Sequence, residues 1–129
     1  MTFAITAPYA AALTLIFFVL TQLVIMTRQK AKVSLGDGGD PALLQAIRRQ
    51  ANFVENVPLT LLLMALAEAG GSGATLLNTL GLILLAARII HPFGIKANAA
   101  NLPARIAGGV ATTGVQVVLV IVLVLHHFA

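Results

Sequence analysis

Five polar side chains in the segment Gln45-Ala46-Ile47-Arg48-Arg49-Gln50-Ala51-Asn52-Phe53-Val54-Glu55-Asn56 share one face of a helix. At about 100° per residue, Arg48, Asn52 and Glu55 fall at about 0°, 40° and 340°, with Gln45 and Asn56 at about 60° and 80°. Glu55 lies roughly 10 Å further along the axis than Arg48. A guanidinium binds a carboxylate through two parallel hydrogen bonds. A carboxylate accepts from an amine, and the amides both donate and accept. The set suits a small anionic or zwitterionic ligand. The structural alternative is that Glu55 and Asn52 bond an arginine on a neighbouring helix and only hold helices together. A staple of that kind needs two groups, and this face offers five. Arg88 and Arg105 are the candidate cationic counterparts, because each ends or begins an apolar segment on the same side.

The elements that must position this stripe follow from composition. The chain has 129 residues, 59% hydrophobic and 9% charged, with mean hydropathy +0.98. Soluble domains carry about 25% charged residues, so a water-soluble globule is excluded. A disordered chain would be polar and charge-rich. With no Cys there is no disulfide scaffold, thiolate metal site or cysteine nucleophile. Three scattered His and four acids give no dedicated metal centre.

A transmembrane helix needs about 20 apolar residues, so the length accommodates four. The sequence predicts an all-α, integral membrane four-helix bundle in a single domain, with spans at about 8–27, 41–68, 74–91 and 105–127. Residues 1–27 carry no charge and lack the basic start of a signal peptide, so they read as a retained span. Asp40-Pro41 is a helix start, with Asp as N-cap and Pro at the first helical position. The helix from Pro41 is long enough for its first two turns, with Arg48 and Arg49, to sit at the headgroups. Pro58 interrupts its hydrogen bonding and favours a bend. Gly70-Gly71-Ser72-Gly73 reads as a tight turn. Gly108-Gly109 and Gly114 suggest close helix packing in the last span.

Four alternating helices put loops 28–40 and 96–104 on one side. All eight Lys and Arg gather there, and Glu68 is the charged side chain of the opposite face. The positive-inside rule makes those loops cytoplasmic and places both termini outside. The net charge of +4 is therefore a topology signal. No aromatic residues interleave the basic ones to stack bases, so no nucleic-acid partner is expected.

Other features carry less. Gly36-Asp37-Gly38-Gly39 lacks the lysine and spacing of a phosphate-binding loop and reads as a plain turn. His91 lies one turn from Arg88 and either faces the same cavity or is a bland interfacial residue. His126 and His127 read as exposed caps. Gln22 and Gln116 read as donors between helices. Asn98 and Asn101 mark a polar loop, and Tyr9 lies on the outer side.

The run Arg48-x-Gln50-x-Asn52-x-x-Glu55-x-x-Pro58, preceded by Gly36-Asp37-Gly38, resembles the MAPEG family, the membrane-associated proteins of eicosanoid and glutathione metabolism. Ala87-Arg88-x-x-His91-x-x-Gly94 and Arg105-x-x-Gly108 also look like that family. The resemblance covers essentially the whole chain and is nearest to the short bacterial branch. It implies a homotrimer binding glutathione, as co-substrate, at the cytoplasmic side between subunits. By that resemblance Arg48, Asn52 and Glu55 would hold the peptide backbone of glutathione and its charged ends. Gln50 and Arg28 match positions that contact its carboxylate end, and Arg88 and His91 are further candidate glutathione-binding residues. Arg105 matches the arginine that stabilises the thiolate and would be the catalytic residue. Gln50, at about 200°, points away from Arg48, which fits a ligand shared by two subunits or else a structural Gln50. Tyrosines of several family enzymes are replaced here by Asn56, His91 and Ile95.

Two functions are thus expected from sequence. One is a glutathione transferase or peroxidase-like protein attacking a lipophilic electrophile that arrives through the bilayer. The other is a non-catalytic family member binding a lipid or small molecule. A small multidrug-type transporter would want an acid in the middle of the first span, and residues 1–27 have none.

Overall fold

The computed structural model describes residues 2–99 and 102–128, so Asn101 lies outside the described residues. It contains four α-helices, α1 (Thr6–Ala31), α2 (Pro41–Ala69), α3 (Ala74–Ile90) and α4 (Pro103–Phe128), with a 3-10 turn at His91–Gly94. Helices α2 and α3 pack on each other, and each also packs on α1 and on α4. The protein is an all-α membrane bundle. Helix α1, the segment Ala74–Gly94 and α4 are long and apolar enough to cross a membrane. Helix α2 is not among them, because the polar stripe interrupts its apolar sequence.

Local chemistry sets the helix ends. Asp40 accepts a hydrogen bond from the Leu43 backbone N–H at 2.9 Å, and Pro41 opens α2, as the Asp-Pro pair predicts. Helix α1 ends at Lys32, whose left-handed φ of 54° turns its N–H back onto the Arg28 and Gln29 carbonyls. The N-terminus of α1 has no cap of its own; Glu68 of α2 accepts from the Ile5 and Thr6 N–H groups, both at 2.8 Å. Helices α1 and α4 extend one to four residues beyond the expected spans at their ends.

The core forms three patches. Met64, Ala67, Leu77, Leu80, Val115 and Leu119 fill one, at the end that holds Glu68. Leu13, Leu20, Phe53, Val57 and Leu84 fill the next. Val24, Leu43 and Ala46 join α1 to α2 near the first loop. Much of the remaining apolar surface is open: Leu15, Phe18, Val110 and Leu125 are all exposed, as expected of faces that meet lipid or another subunit.

The glycines of α4 divide. A Cβ on Gly108 would fall 2.7 Å from the Cβ of His91 and 2.8 Å from the Ala87 carbonyl oxygen, so α4 meets α3 there. Gly109 and Gly114 have nothing within 4 Å. The close packing expected of all three holds within the chain for Gly108 alone, because the others lie on the face turned away from α3.

Candidate functional site

Arg88 organises the basic end of the bundle. It is 2% exposed, in the last turn of α3, where a cation also suits the helix dipole. One terminal nitrogen donates to Asn52 Oδ1 on α2 at 3.0 Å. The other donates to the Gly108 carbonyl oxygen at 3.0 Å and to Thr112 Oγ1 on α4. All three acceptors are neutral, so a single guanidinium ties α3 to both neighbours without a counter-ion. Asn52 is thereby fixed through its oxygen, while its NH2 group makes no hydrogen bond among the described residues.

In front of this clamp, Gln45, Arg48, Asn52, Lys96 and Arg105 line an open cleft of about 190 Å3. Two side chains of α2 fasten the far wall. Gln45 accepts from the Ala97 N–H at 3.0 Å, and Arg49 donates through Nε to the Ile95 carbonyl at 3.2 Å. Glu55 lies beside Arg48, 3.7 Å away, with both side chains about half exposed. The cationic partner of Glu55 is therefore on its own helix, and Arg88 is matched with Asn52 instead.

Arg105 sits at a junction. It lines the polar cleft, and it also lines an open groove of about 830 Å3 along α4. Ile106, Val110, Val117 and Val118 make that groove apolar, and the bare backbones of Gly109 and Gly114 deepen it. His91 is buried under Gly108 and borders the same groove. A Cβ on Gly94 would strike the backbone of Arg105, so glycine there lets the 3-10 turn seat the start of α4.

The chain thus brings Arg48, Asn52 and Arg105 to one cleft, with Glu55 next to Arg48, Arg88 behind Asn52 and His91 on the groove side. It does not bring Gln50 or Arg28 there. Gln50 donates to Thr21 Oγ1 of α1 at 2.9 Å. Arg28 donates to the Val33 and Gly36 carbonyls at 3.2 and 2.8 Å and folds the loop after α1. Sequence reasoning missed Arg49 and Lys96 as parts of the site. The signal for Arg49 was available: it stands four residues after Gln45, on the edge of the same helix face. Gln116 does bridge helices, donating to Thr60 Oγ1 at 2.9 Å.

The chain belongs to the MAPEG family, whose model matches residues 6–125. It is similar to the inner membrane protein YecN of Escherichia coli K12, with 33% identity over 90 residues, covering 70% of this chain and 69% of that protein. The YecN protein of Escherichia coli O6:H1 matches to the same extent. An inner membrane relative and three apolar helices make this an integral membrane protein.

Proposed function

We propose that the protein binds glutathione at its basic end and activates the thiol for attack on a lipophilic electrophile. The family in general includes glutathione transferases. The observation that carries the reading is the position of Arg105, shared by a polar cleft and an apolar, lipid-accessible groove. A peptide-sized anion in the cleft and an apolar reactant in the groove would meet at that guanidinium.

The residues present fit glutathione. Arg48 is half exposed and able to take a carboxylate, Glu55 an amine, and the Asn52 NH2 group a peptide carbonyl. Arg88 positions Asn52. A free thiol ionises near pH 8.5, and an adjacent guanidinium lowers that value, so Arg105 would enrich the thiolate at neutral pH. The thiolate forms the new C–S bond as the leaving group departs with the bonding pair, and the thiol proton goes to water.

The cleft of one subunit, about 190 Å3, is smaller than the roughly 300–1,000 Å3 of typical small-molecule sites. That shortfall supports a site completed by another copy. Arg28 and Gln50, held away from the cleft in their own subunit, are the residues a neighbour would contribute, and a homotrimer is the assembly we propose. The basic end faces the cytoplasm in this reading, with both termini outside.

The test uses purified protein in detergent, glutathione and a chromogenic aryl halide. Saturable glutathione binding is expected for the wild type and for Arg105→Leu, with conjugation lost in the variant. Absence of saturable binding at millimolar glutathione overturns the proposal.

A further inference from the structure

A second groove runs along α1, first against α2 and then against the end of α3, separate from the α4 groove. Two cavities, of about 160 and 240 Å3, share Leu20, Leu23 and Arg49. The smaller opens past Thr27 and Ala42 at the basic end of the bundle. The larger runs along α1 past Val19 and Ile16 and is closed by Ile89 and Phe93. One end is therefore polar and the other is apolar.

Two guanidiniums border the larger cavity, Arg49 and Arg88, and no carboxylate does. Arg49 donates through Nε to the Ile95 carbonyl, leaving its two terminal nitrogens for another acceptor. Arg88 donates only to neutral oxygens, and its Nε is buried without a partner. Among the described residues the ion pair is Arg48–Glu55, and neither member lines this groove. Uncompensated cations in a low-dielectric bundle are costly, and an anion drawn from the membrane relieves that cost.

We propose that this groove binds an anionic phospholipid of the surrounding leaflet, with its phosphate on the free side of the Arg49 guanidinium and one acyl chain along Val19 and Ile16. The charge of the groove asks for an anion. Its apolar length asks for a chain, which a soluble anion lacks. The polar end opens at the basic end of the bundle, where headgroups lie, and Val19 and Phe93 are exposed where hydrocarbon would meet them. The proposal does not rest on the glutathione reading: Arg49 meets the polar cleft only through the Ile95 carbonyl in its wall and is assigned no contact with glutathione.

The test is native mass spectrometry of the detergent-purified protein, titrated with phosphatidylglycerol or with phosphatidylcholine of the same chains. The wild type should retain phosphatidylglycerol about tenfold better, because phosphatidylcholine carries the same phosphate but neutralises it with its own choline cation. Arg49→Gln should abolish that preference, and Val19→Trp should weaken retention of both lipids. Lys30→Gln, at an exposed basic position outside the groove, should leave both unchanged. The proposal is overturned if Arg49→Gln keeps the preference, or if Lys30→Gln loses it equally, which would mean surface charge alone. Displacement of the lipid by millimolar inorganic phosphate would also overturn it, in favour of a soluble anion. Should Arg49→Gln not fold, Val19→Trp decides, since Val19 is exposed and unchanged retention there contradicts a chain in the groove.

Discussion

Glu55 and Glu68 stand on the same helix and have opposite surroundings. Glu68 accepts two backbone N–H groups at 2.8 Å and replaces the cap that the start of α1 lacks. Glu55 is half exposed and sits 3.7 Å from Arg48, which is itself half exposed. The arginines divide in the same way. Arg88 is buried with three acceptors, whereas Arg48 and Arg105 line an open cleft. A charged group whose terminal atoms are bonded across helices of the same chain holds the fold. One left partly unfilled at a cleft is available to a ligand. The difference separates structure from site more sharply than residue type does.

Breaking the structural side should cost most at Arg88. Arg88→Met takes the arginine donor from Asn52 and Thr112, while the Gly108 carbonyl keeps the Thr112 hydroxyl, and a loss of about 1–3 kcal/mol for each of the two unsatisfied groups is expected. Thermal unfolding in detergent measures it, and an unchanged midpoint would show that the three helices do not depend on the clamp. Next comes Gly94→Ala, which drives a methyl group into the backbone of Arg105. Overpacking of this kind costs about 1–3 kcal/mol, and here it should also lower conjugation by displacing Arg105. The same unfolding scan with the aryl halide conjugation assay checks both effects.

Glu68→Gln should cost about 0.5–2 kcal/mol, the range for losing a helix cap, and should leave glutathione affinity unchanged. Glu55→Gln is the smallest of the series in stability. An exposed pair at 3.7 Å contributes little, so a change within about 0.5 kcal/mol is expected. Unfolding midpoints for the two variants, taken side by side, test whether the two glutamates differ as described.

Much of this arrangement was legible in the sequence because it depends on neighbours along the chain. Asp40-Pro41 and the Gly70–Gly73 turn mark helix ends through local backbone chemistry. The spacing of Arg48, Asn52 and Glu55 defines a shared face whatever the helix packs against. What depends on the rotation of one helix against another was not legible. The choice of Asn52 rather than Glu55 for Arg88 is of that kind, as is the reach of Glu68 to residues 5 and 6. So is the division of Gly108 from Gly109 and Gly114, since a glycine reads alike whether its bare face meets a helix or a groove. Arg105 as a border between polar and apolar spaces emerged only from the packed bundle.

The most direct test of the central claim is glutathione affinity of Glu55→Gln and Glu68→Gln, measured by calorimetry on proteins first matched for folded fraction. Removing one charge-assisted contact should weaken binding about tenfold in Glu55→Gln and leave Glu68→Gln at the wild-type value. Equal affinities in the two variants would contradict the assignment of Glu55 to the ligand and Glu68 to the fold.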